Sequence, residues 1–429
     1  MKRRIDWLAA LALAVAALVV AAVYAVWALN RIGEAPLGSG RPVAASPEVI
    51  ARGAYLARIG DCASCHTQPG GADYAGGRAI QTPFGAVYSS NLTPDDATGL
   101  GHWTPDEFWR ALHNGRSRDG RLLYPAFPYT EYTHVTREDA DAIFSYLRSL
   151  APVRQEAAAH QLGFPYSTQA ALAVWRALYF RPGRCAVVQQ ASPELTRGAY
   201  LVQGLGHCAS CHTPRNALGG LRSDAPLGGG LVEGNAWWAP SLTSTAQAGV
   251  SRWAVDDIAA LLTRGVSASA GVSGPMAEVV FSSLQYLTAD DARAMAAWLR
   301  QLPQVEEAAA HGKPPPAGVL ERGHEIYHDQ CAQCHGDEGE GKPGAFPALA
   351  GNRAVRMAEP LNLVQIVLHG GYLPATAGNP QPYGMPPFRQ SLSDDDVADV
   401  LSFIREAWGN GAPPVDIVSV HRARERSGS

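Results

Sequence analysis

The stretch Ser46–Thr67 reads SPEVIARGAYLARIGDCASCHT, and Ser192–Thr213 reads SPELTRGAYLVQGLGHCASCHT. A more diverged third copy, Leu320–Gly336, reads LERGHEIYHDQCAQCHG. Each copy has an Arg-Gly pair near its start and leads to Cys-x-x-Cys-His. The chain therefore contains a threefold internal repeat, and this repeat sets its domain organisation.

A second matching element follows each copy. It begins with a hydroxyl N-cap and an aspartate three residues later, and it continues with apolar residues at helical spacing. These cap pairs are Thr136/Asp139, Thr288/Asp291 and Ser393/Asp396. Each module is therefore predicted to open and close with a helix.

The repeats place three modules at residues 48–152, 193–303 and 318–409. An inter-domain insert at 153–192 separates the first two, and a linker at 304–317 separates the last two. The insert carries an apolar stretch, 171–180, that is predicted to be a helix packing between domains. A polar tail, 410–429, completes the chain.

The N-terminus reads as a membrane anchor. Trp7–Leu29 has 23 residues without a charge, and as a helix these span about 35 Å, enough to cross a bilayer. Lys2, Arg3 and Arg4 precede the stretch, which predicts a cytoplasmic N-terminus and exported modules. A cleaved signal peptide is the alternative, although its apolar core is shorter. We expect an uncleaved transmembrane anchor at 1–31 and a linker at 32–47.

The overall composition excludes some classes of protein. The chain has 429 residues, 46% of them hydrophobic, and 35 basic against 39 acidic side chains. This is enough apolar sequence for several packed domains, and the charge balance predicts no nucleic-acid partner.

The three Cys-x-x-Cys-His motifs predict covalently bound haem. Two thiols three positions apart add to the vinyl groups of a haem, and the adjacent histidine then ligates the iron. The predicted attachment residues are Cys62, Cys65 and His66; Cys208, Cys211 and His212; and Cys331, Cys334 and His335. A zinc site of paired knuckles has a much shorter separation, and a thioredoxin-like dithiol needs a strand–helix context. The prediction is three covalently bound haem c groups, with Cys185 left over and given no function.

Methionine is the usual sixth ligand of an electron-transfer haem. Met385, in YGMPPF, is predicted for the third module, and Met276, in SGPMAEVV, for the second. The alternative for both is ordinary packing, which is the role predicted for Met295 and Met357.

The first module breaks this pattern because its loop, LLYPAFPYTEYTHV, has Phe127 and no methionine. Phenylalanine cannot ligate iron. His134, in the same loop, is the first choice for the sixth ligand. His113 is a second choice, and an open iron is a third.

With these motifs the chain resembles the triheme cytochrome c subunits of bacterial membrane-bound periplasmic dehydrogenases, such as alcohol, gluconate and fructose dehydrogenases. The likeness extends to TPFGAVYSSNLTPD (82–95) and LLYPAFPYTEY (122–132). In many family members the segment matching Ala126–Pro128 reads Ala-Met-Pro. The Phe127 form resembles the branch that partners molybdenum hydroxylases.

The resemblance implies an all-α fold of three tandem class I cytochrome c domains behind one N-terminal transmembrane helix. It implies a single-pass protein of the bacterial cytoplasmic membrane whose haem domains face the periplasm. Such a subunit takes electrons from a separate catalytic subunit, which is a molybdenum hydroxylase, a quinoprotein or a flavoprotein. It passes them to ubiquinone or a terminal oxidase.

Residue patterns lead to the same function. The chain has no nicotinamide fingerprint, flavin loop or catalytic triad, so it is not expected to oxidise a substrate alone. Two alternatives stay open: an electron-transfer subunit of a terminal oxidase, and a haem peroxidase with an open first haem.

Overall fold

Helices dominate the computed structural model. The structure describes residues 2–34, 37–38, 45–183, 192–232, 234, 236–267, 270–306 and 312–426, and it leaves out the side chains of residues 2–6 and 426. The chain forms two units. The first comprises Met1–Leu56, His66–Cys185 and Ala217–Gly220; the second comprises Ala57–Cys65, Ala186–Asn216 and Leu221–Ser429. Cys185 lies outside the described residues.

The first unit holds the N-terminal helix and most of the first repeat. Its helices are α1 (Lys2–Leu29), α2 (Pro47–Ile59), α3 (Cys62–His66), α4 (Pro105–Asn114), α5 (Tyr129–Tyr132), α6 (Arg137–Ser149) and α7 (Gln169–Tyr179), of which α2 and α3 extend into the second unit. Strands β1 (Ala79–Thr82), β2 (Gly85–Tyr88) and β3 (Gln161–Leu162) form one antiparallel sheet. Within α1, the stretch Trp7–Leu29 has a mean hydropathy of 2.6 and no buried residue in its most apolar window.

The second unit holds most of the second repeat and all of the third. Its helices are α8 (Pro193–Tyr200), α9 (Ala209–His212), α10 (Val255–Arg264), α11 (Pro275–Ser282), α12 (Ala289–Arg300), α13 (Ala317–Gln330), α14 (Ala332–His335), α15 (Arg353–Arg356), α16 (Leu361–His369), α17 (Asp394–Glu406) and α18 (Ile417–Arg426). A π-helical turn, Leu201–Leu205, continues α8, and 3₁₀ turns lie at Leu284–Tyr286 and Ala407–Gly409. Two antiparallel pairs of strands complete it: β4 (Gly230–Val232) with β5 (Trp237–Ala239), and β6 (Gly371–Tyr372) with β7 (Gly384–Met385).

These small sheets refine the all-α expectation. The described strands are two to four residues long. Such strands are too short for the alternation of apolar and polar residues that reveals a strand in a sequence.

The glycine of each Arg-Gly pair brings two helices into backbone contact. A Cβ built on Gly53 would lie 1.9 Å from the carbonyl oxygen of Ala142, and the equivalent distance is 2.0 Å for Gly198 to Ala294. Gly323 repeats this arrangement against Asp399 at 2.3 Å. The opening and closing helices of each repeat, α2 with α6, α8 with α12 and α13 with α17, therefore pack together at a position where no side chain fits.

The predicted N-caps of the closing helices are confirmed. The hydroxyl of Thr136 accepts a hydrogen bond from the backbone N–H of Asp139, and Thr288 does the same for Asp291 and Ser393 for Asp396. These bonds satisfy backbone donors that a helix leaves unpaired at its start.

The predicted insert is part of the first unit. Strand β3 pairs with β2 through Gly85 and Leu162. Helix α7 begins where the hydroxyl of Thr168 accepts from the N–H of Ala171. The apolar stretch is helical, as predicted. It packs on α1, and the indole N–H of Trp175 donates to the carbonyl of Leu218 in the second repeat.

The segment predicted as a polar tail contains α18. Val415, Val420 and Ala423 are buried in one apolar core with residues of α13, α16 and α17. Three small apolar side chains suffice for this packing, although the segment as a whole is polar.

Candidate haem-binding sites

Each Cys-x-x-Cys-His motif forms a single helical turn. In the second motif the N–H of His212 donates to the carbonyl of Cys208 at 2.9 Å, and in the third that of His335 donates to Cys331 at 3.0 Å. The first motif is helical from Cys62 to His66. The first cysteine of each motif is half-buried: Cys62, Cys208 and Cys331. The second is exposed: Cys65, Cys211 and Cys334.

The motif histidines are oriented by backbone carbonyls. The Nδ1 atom of His66 lies 2.7 Å from the carbonyl oxygen of Ser90. The Nδ1 atom of His212 lies 2.8 Å from that of Pro240, and the Nδ1 atom of His335 lies 2.9 Å from that of Pro347. A carbonyl only accepts, so each Nδ1 donates, and the lone pair of Nε2 is left to bind a metal.

Burial favours the neutral form of two of these imidazoles. It lowers the pKa of His66 and of His212, and the carbonyls of Ser90 and Pro240 oppose this only in part. A neutral imidazole is the form that ligates a metal.

Burial also raises the pKa of the first cysteine in two motifs, to about 12 for Cys62 and about 11 for Cys331. A redox-active Cys-x-x-Cys pair needs the opposite, a pKa lowered toward neutrality. The direction of this shift disfavours the dithiol alternative.

A glycine holds each motif against the segment that orients its histidine. The N–H groups of Gly76, Gly229 and Gly341 donate to the carbonyls of His66, His212 and His335, each at 2.7 Å. All three glycines have positive φ values, of 78°, 80° and 64°.

Side chains are excluded at these glycines. A Cβ on Gly76 would lie 2.5 Å from the carbonyl of Ser90, and a Cβ on Gly341 would lie 2.6 Å from the N–H of Ala348. Repeat comparison does not reveal these glycines because their separation from the histidine differs in every module.

Met385 is placed by a pair of short strands. It lies in β7, opposite Gly371 of β6. Its half-buried side chain packs against the apolar core of the third repeat, as do Cys331 and Ala332 of the third motif.

Met276 is the second residue of α11, on a helix rather than in the loop that its sequence context suggested. Gly274 precedes the helix and has a φ of 56°. A Cβ built on Gly274 would lie 2.8 Å from the ring of Trp237. Trp237 opens β5, the strand before Pro240. Met295 and Met357 are 2% and 6% exposed, which confirms that they pack in the interior.

Backbone hydrogen bonds show which residue replaces Met276 in the first module. The N–H of Val272 donates to Gly265 after α10, and the N–H of Leu123 donates to Gly115 after α4, both at 2.9 Å. Met276 lies four residues after Val272, and Phe127 lies four residues after Leu123. Phe127 therefore corresponds to Met276, and its ring lies 5.4 Å from that of Tyr132.

The two candidate histidines lie on different elements. His134 follows α5, half-buried, with its N–H bonded to the carbonyl of Glu131 at 2.9 Å. His113 lies in the last turn of α4 and stacks on Trp109 with ring centroids 4.5 Å apart.

Hydrogen bonds join the second and third repeats within the second unit. The amide of Asn362 in α16 accepts from the N–H of Trp238 and donates to its carbonyl, both at 2.8 Å. Gln365, one helical turn later, donates to the carbonyl of Ala236 at 2.8 Å. The strand leading to Pro240 is thereby attached to α16.

These features fit a covalently attached haem. Each site offers two thiols and an imidazole on one helical turn, and the imidazole presents Nε2. A bound haem supplies a one-electron couple, whereas the protein supplies attachment and orientation.

Comparisons with known proteins agree with this chemistry. The cytochrome c family model matches residues 50–151 and 320–408. The chain is 39% identical to the cytochrome c subunit of a quinone-dependent alcohol dehydrogenase from Gluconobacter oxydans, over 86% of this chain and 80% of that protein. It is 37% identical to the gluconate 2-dehydrogenase cytochrome c subunit of Pantoea cypripedii, over 86% and 87% of the two chains.

A third relative is much longer than this chain. It is a nicotinate dehydrogenase subunit of Pseudomonas putida, 41% identical over 86% of this chain, although the match covers only 31% of that protein. The chain belongs to the family of cytochrome c subunits of bacterial membrane dehydrogenases, and it is an electron-transfer subunit with covalently bound haem c.

Proposed function

We propose that this protein carries three haem c groups in tandem class I cytochrome c domains at 48–152, 193–303 and 318–409. The observation that carries the proposal is the threefold recurrence of one arrangement: a Cys-x-x-Cys-His turn, a histidine Nδ1 on a backbone carbonyl, and a glycine N–H on the histidine carbonyl. Three such sites in one chain serve conduction of electrons rather than conversion of a substrate.

The electron donor is a catalytic dehydrogenase subunit. The relatives named above are cytochrome subunits of alcohol and gluconate dehydrogenases, which supports a quinoprotein or flavoprotein partner. Phe127, which resembles the family branch that partners molybdenum hydroxylases, supports a partner of that kind. The acceptor is ubiquinone or a terminal oxidase.

The anchor keeps the chain at the membrane. Trp7–Leu29 is long enough to span a bilayer and none of its most apolar window is buried. With basic residues at its start, α1 leaves the modules in the periplasm. Electrons then travel close to the membrane in which the acceptor resides.

Asn362 supports transfer between the second and third sites. It bonds to both backbone polar groups of Trp238, and Trp238 lies two residues before the carbonyl that orients His212. A fixed contact of this kind limits relative movement of the two sites.

The function is tested on the detergent-solubilised chain purified together with its catalytic subunit. Substrate of that subunit is expected to reduce the haems, and a short-chain ubiquinone is expected to reoxidise them, as followed by visible absorbance. The chain without its partner should stay oxidised when the same substrate is added. Substrate oxidation or peroxide turnover by the chain alone would contradict the proposal.

For the sixth ligands we propose Met385, Met276 and His134. Replacing His134 by alanine is expected to abolish a near-infrared band typical of bis-histidine haem, because the imidazole is lost. Replacing His113 by alanine is the matched control and should leave the band unchanged. Near-infrared magnetic circular dichroism of the ferric protein measures both.

Phe127 provides an independent check of the same site. The F127M variant should raise the potential of the first haem, because methionine ligation favours the reduced state. The His134 assignment is rejected when the unmodified protein has no bis-histidine band.

A further inference from the structure

We propose that α7 lies in the membrane surface, with Val174 and Leu178 facing lipid, so that the first module rests on the bilayer beside its anchor. The inference rests on the proposed function only in requiring that α1 spans the membrane. It adds a lipid-binding face to the cytochrome module itself.

The outer end of α1 marks the level of the membrane surface. The apolar stretch of α1 ends at Leu29. Just before that end, the rings of Tyr24 and Trp27 stack 5.7 Å apart, and the guanidinium of Arg31 lies 4.7 Å from the ring centre of Trp27. Tyrosine, tryptophan and arginine collect where hydrocarbon meets headgroups.

Asn30 attaches α7 to this level. Its amide nitrogen donates to the carbonyl of Ala173 at 2.8 Å, and its amide oxygen accepts from Nε of Arg176 at 2.9 Å. Asn30 is 8% exposed and Arg176 is 3% exposed, so these bonds are shielded from water. The middle of α7 is therefore held one residue beyond the end of the membrane span.

Helix α7 has two distinct faces. Leu172, Ala177 and Arg176 are buried on the inner face. On the outer face Val174 is 47% exposed and Leu178 is 59% exposed. Leu178 is four positions after Val174, so the two side chains lie on adjacent turns of the same face. The helix has no acidic residue, and its one charge, Arg176, points inward.

The apolar surface continues beyond α7 within the first unit. The indole N–H of Trp175 donates to the carbonyl of Leu218 at 2.8 Å, and Leu218 is 45% exposed. The next residue, Gly219, lies against the ring of Phe84, and that ring is 4.3 Å from Tyr166. Exposed Leu218 therefore lies beside α7 and adds to its apolar surface.

Lipid is the occupant that these contacts favour. A helix with an apolar outer face, hydrogen-bonded at the point where a membrane span ends, has the geometry of an interfacial helix. An exposed pair of aliphatic side chains at that level is in contact with headgroups and the first carbons of the acyl chains.

The test uses photo-crosslinking in the full chain. The photoreactive residue p-benzoylphenylalanine replaces Val174 or, in a second variant, Leu178. The haem-loaded protein is placed with its catalytic subunit in nanodiscs of phosphatidylethanolamine and phosphatidylglycerol, irradiated and analysed by mass spectrometry. We expect lipid adducts at both positions, several-fold above those formed when the probe replaces Glu138, an exposed charged residue of the same unit.

A further position separates this inference from the anchor. The same probe replacing Leu18 reports whether α1 is in the bilayer. Two results would overturn the inference and leave the anchor intact, both with lipid adducts at Leu18. In the first, Val174 and Leu178 form no lipid adducts; in the second, they form crosslinks to the catalytic subunit. No lipid adduct at Leu18 would overturn both.

Discussion

Replacing Cys331 and Cys334 together by alanine is expected to lower the haem content from the proposed three equivalents per chain to two. The change removes both thioether bonds of the third site, and a haem held only by axial ligands is lost during purification. The other two motifs are on separate helices and retain their haems. A pyridine haemochrome assay, normalised to the amount of polypeptide, measures the change.

The seventh cysteine provides the control. Cys185 belongs to no Cys-x-x-Cys-His motif, so the C185S variant should keep all three haems. If the double variant does not accumulate, the single variant C334A is measured instead. One thioether bond then remains, so the haem stays attached and its haemochrome band shifts. An unchanged haem content in the double variant contradicts haem attachment at the third motif.

Replacing Met385 by alanine is expected to lower the potential of one haem on the order of 0.1 V, a fraction of the about 0.8 V over which axial ligands set haem potentials. Loss of the thioether ligand removes the group that favours ferrous iron. A potentiometric titration of the purified protein should show one of three redox steps displaced and two unchanged.

Met357 is the matched control for this change. It is 6% exposed and lies in the same repeat, directly after α15. The M357A variant should lose about 2–5 kcal/mol of stability, as expected for a truncated interior methionine, without a displaced redox step. Equal titrations of M385A and the unmodified protein would remove Met385 as a ligand.

The two sides of the proposed haem sites differ in how closely the three repeats agree. The Cys-x-x-Cys-His side is almost identical in the three repeats, down to the carbonyl at Nδ1. The proposed sixth ligands differ in placement: Met385 lies on a strand and Met276 on a helix, and Phe127 corresponds to Met276 in the first module. Different ligands on that side would give the haems different potentials and so a direction for electron flow.

The sequence alone determined the parts of this protein that depend on neighbouring residues. The Cys-x-x-Cys-His turns, the caps at Thr136, Thr288 and Ser393, and the apolar stretch of α1 were all predicted and are all present. In each case the interacting groups lie within a few positions of one another, so spacing and residue type suffice to reveal them.

Which distant groups complete the sites depends on how remote segments pack together. The carbonyls that orient the histidines belong to Ser90, Pro240 and Pro347, and every residue has a carbonyl, so no side chain identifies them in a sequence. Gly76, Gly229 and Gly341 were not predicted, because the loops between the histidine and the glycine differ in length among the repeats. The attachment of α7 to Asn30 depends on hydrogen bonds between remote segments, which are set by packing rather than by local residue pattern.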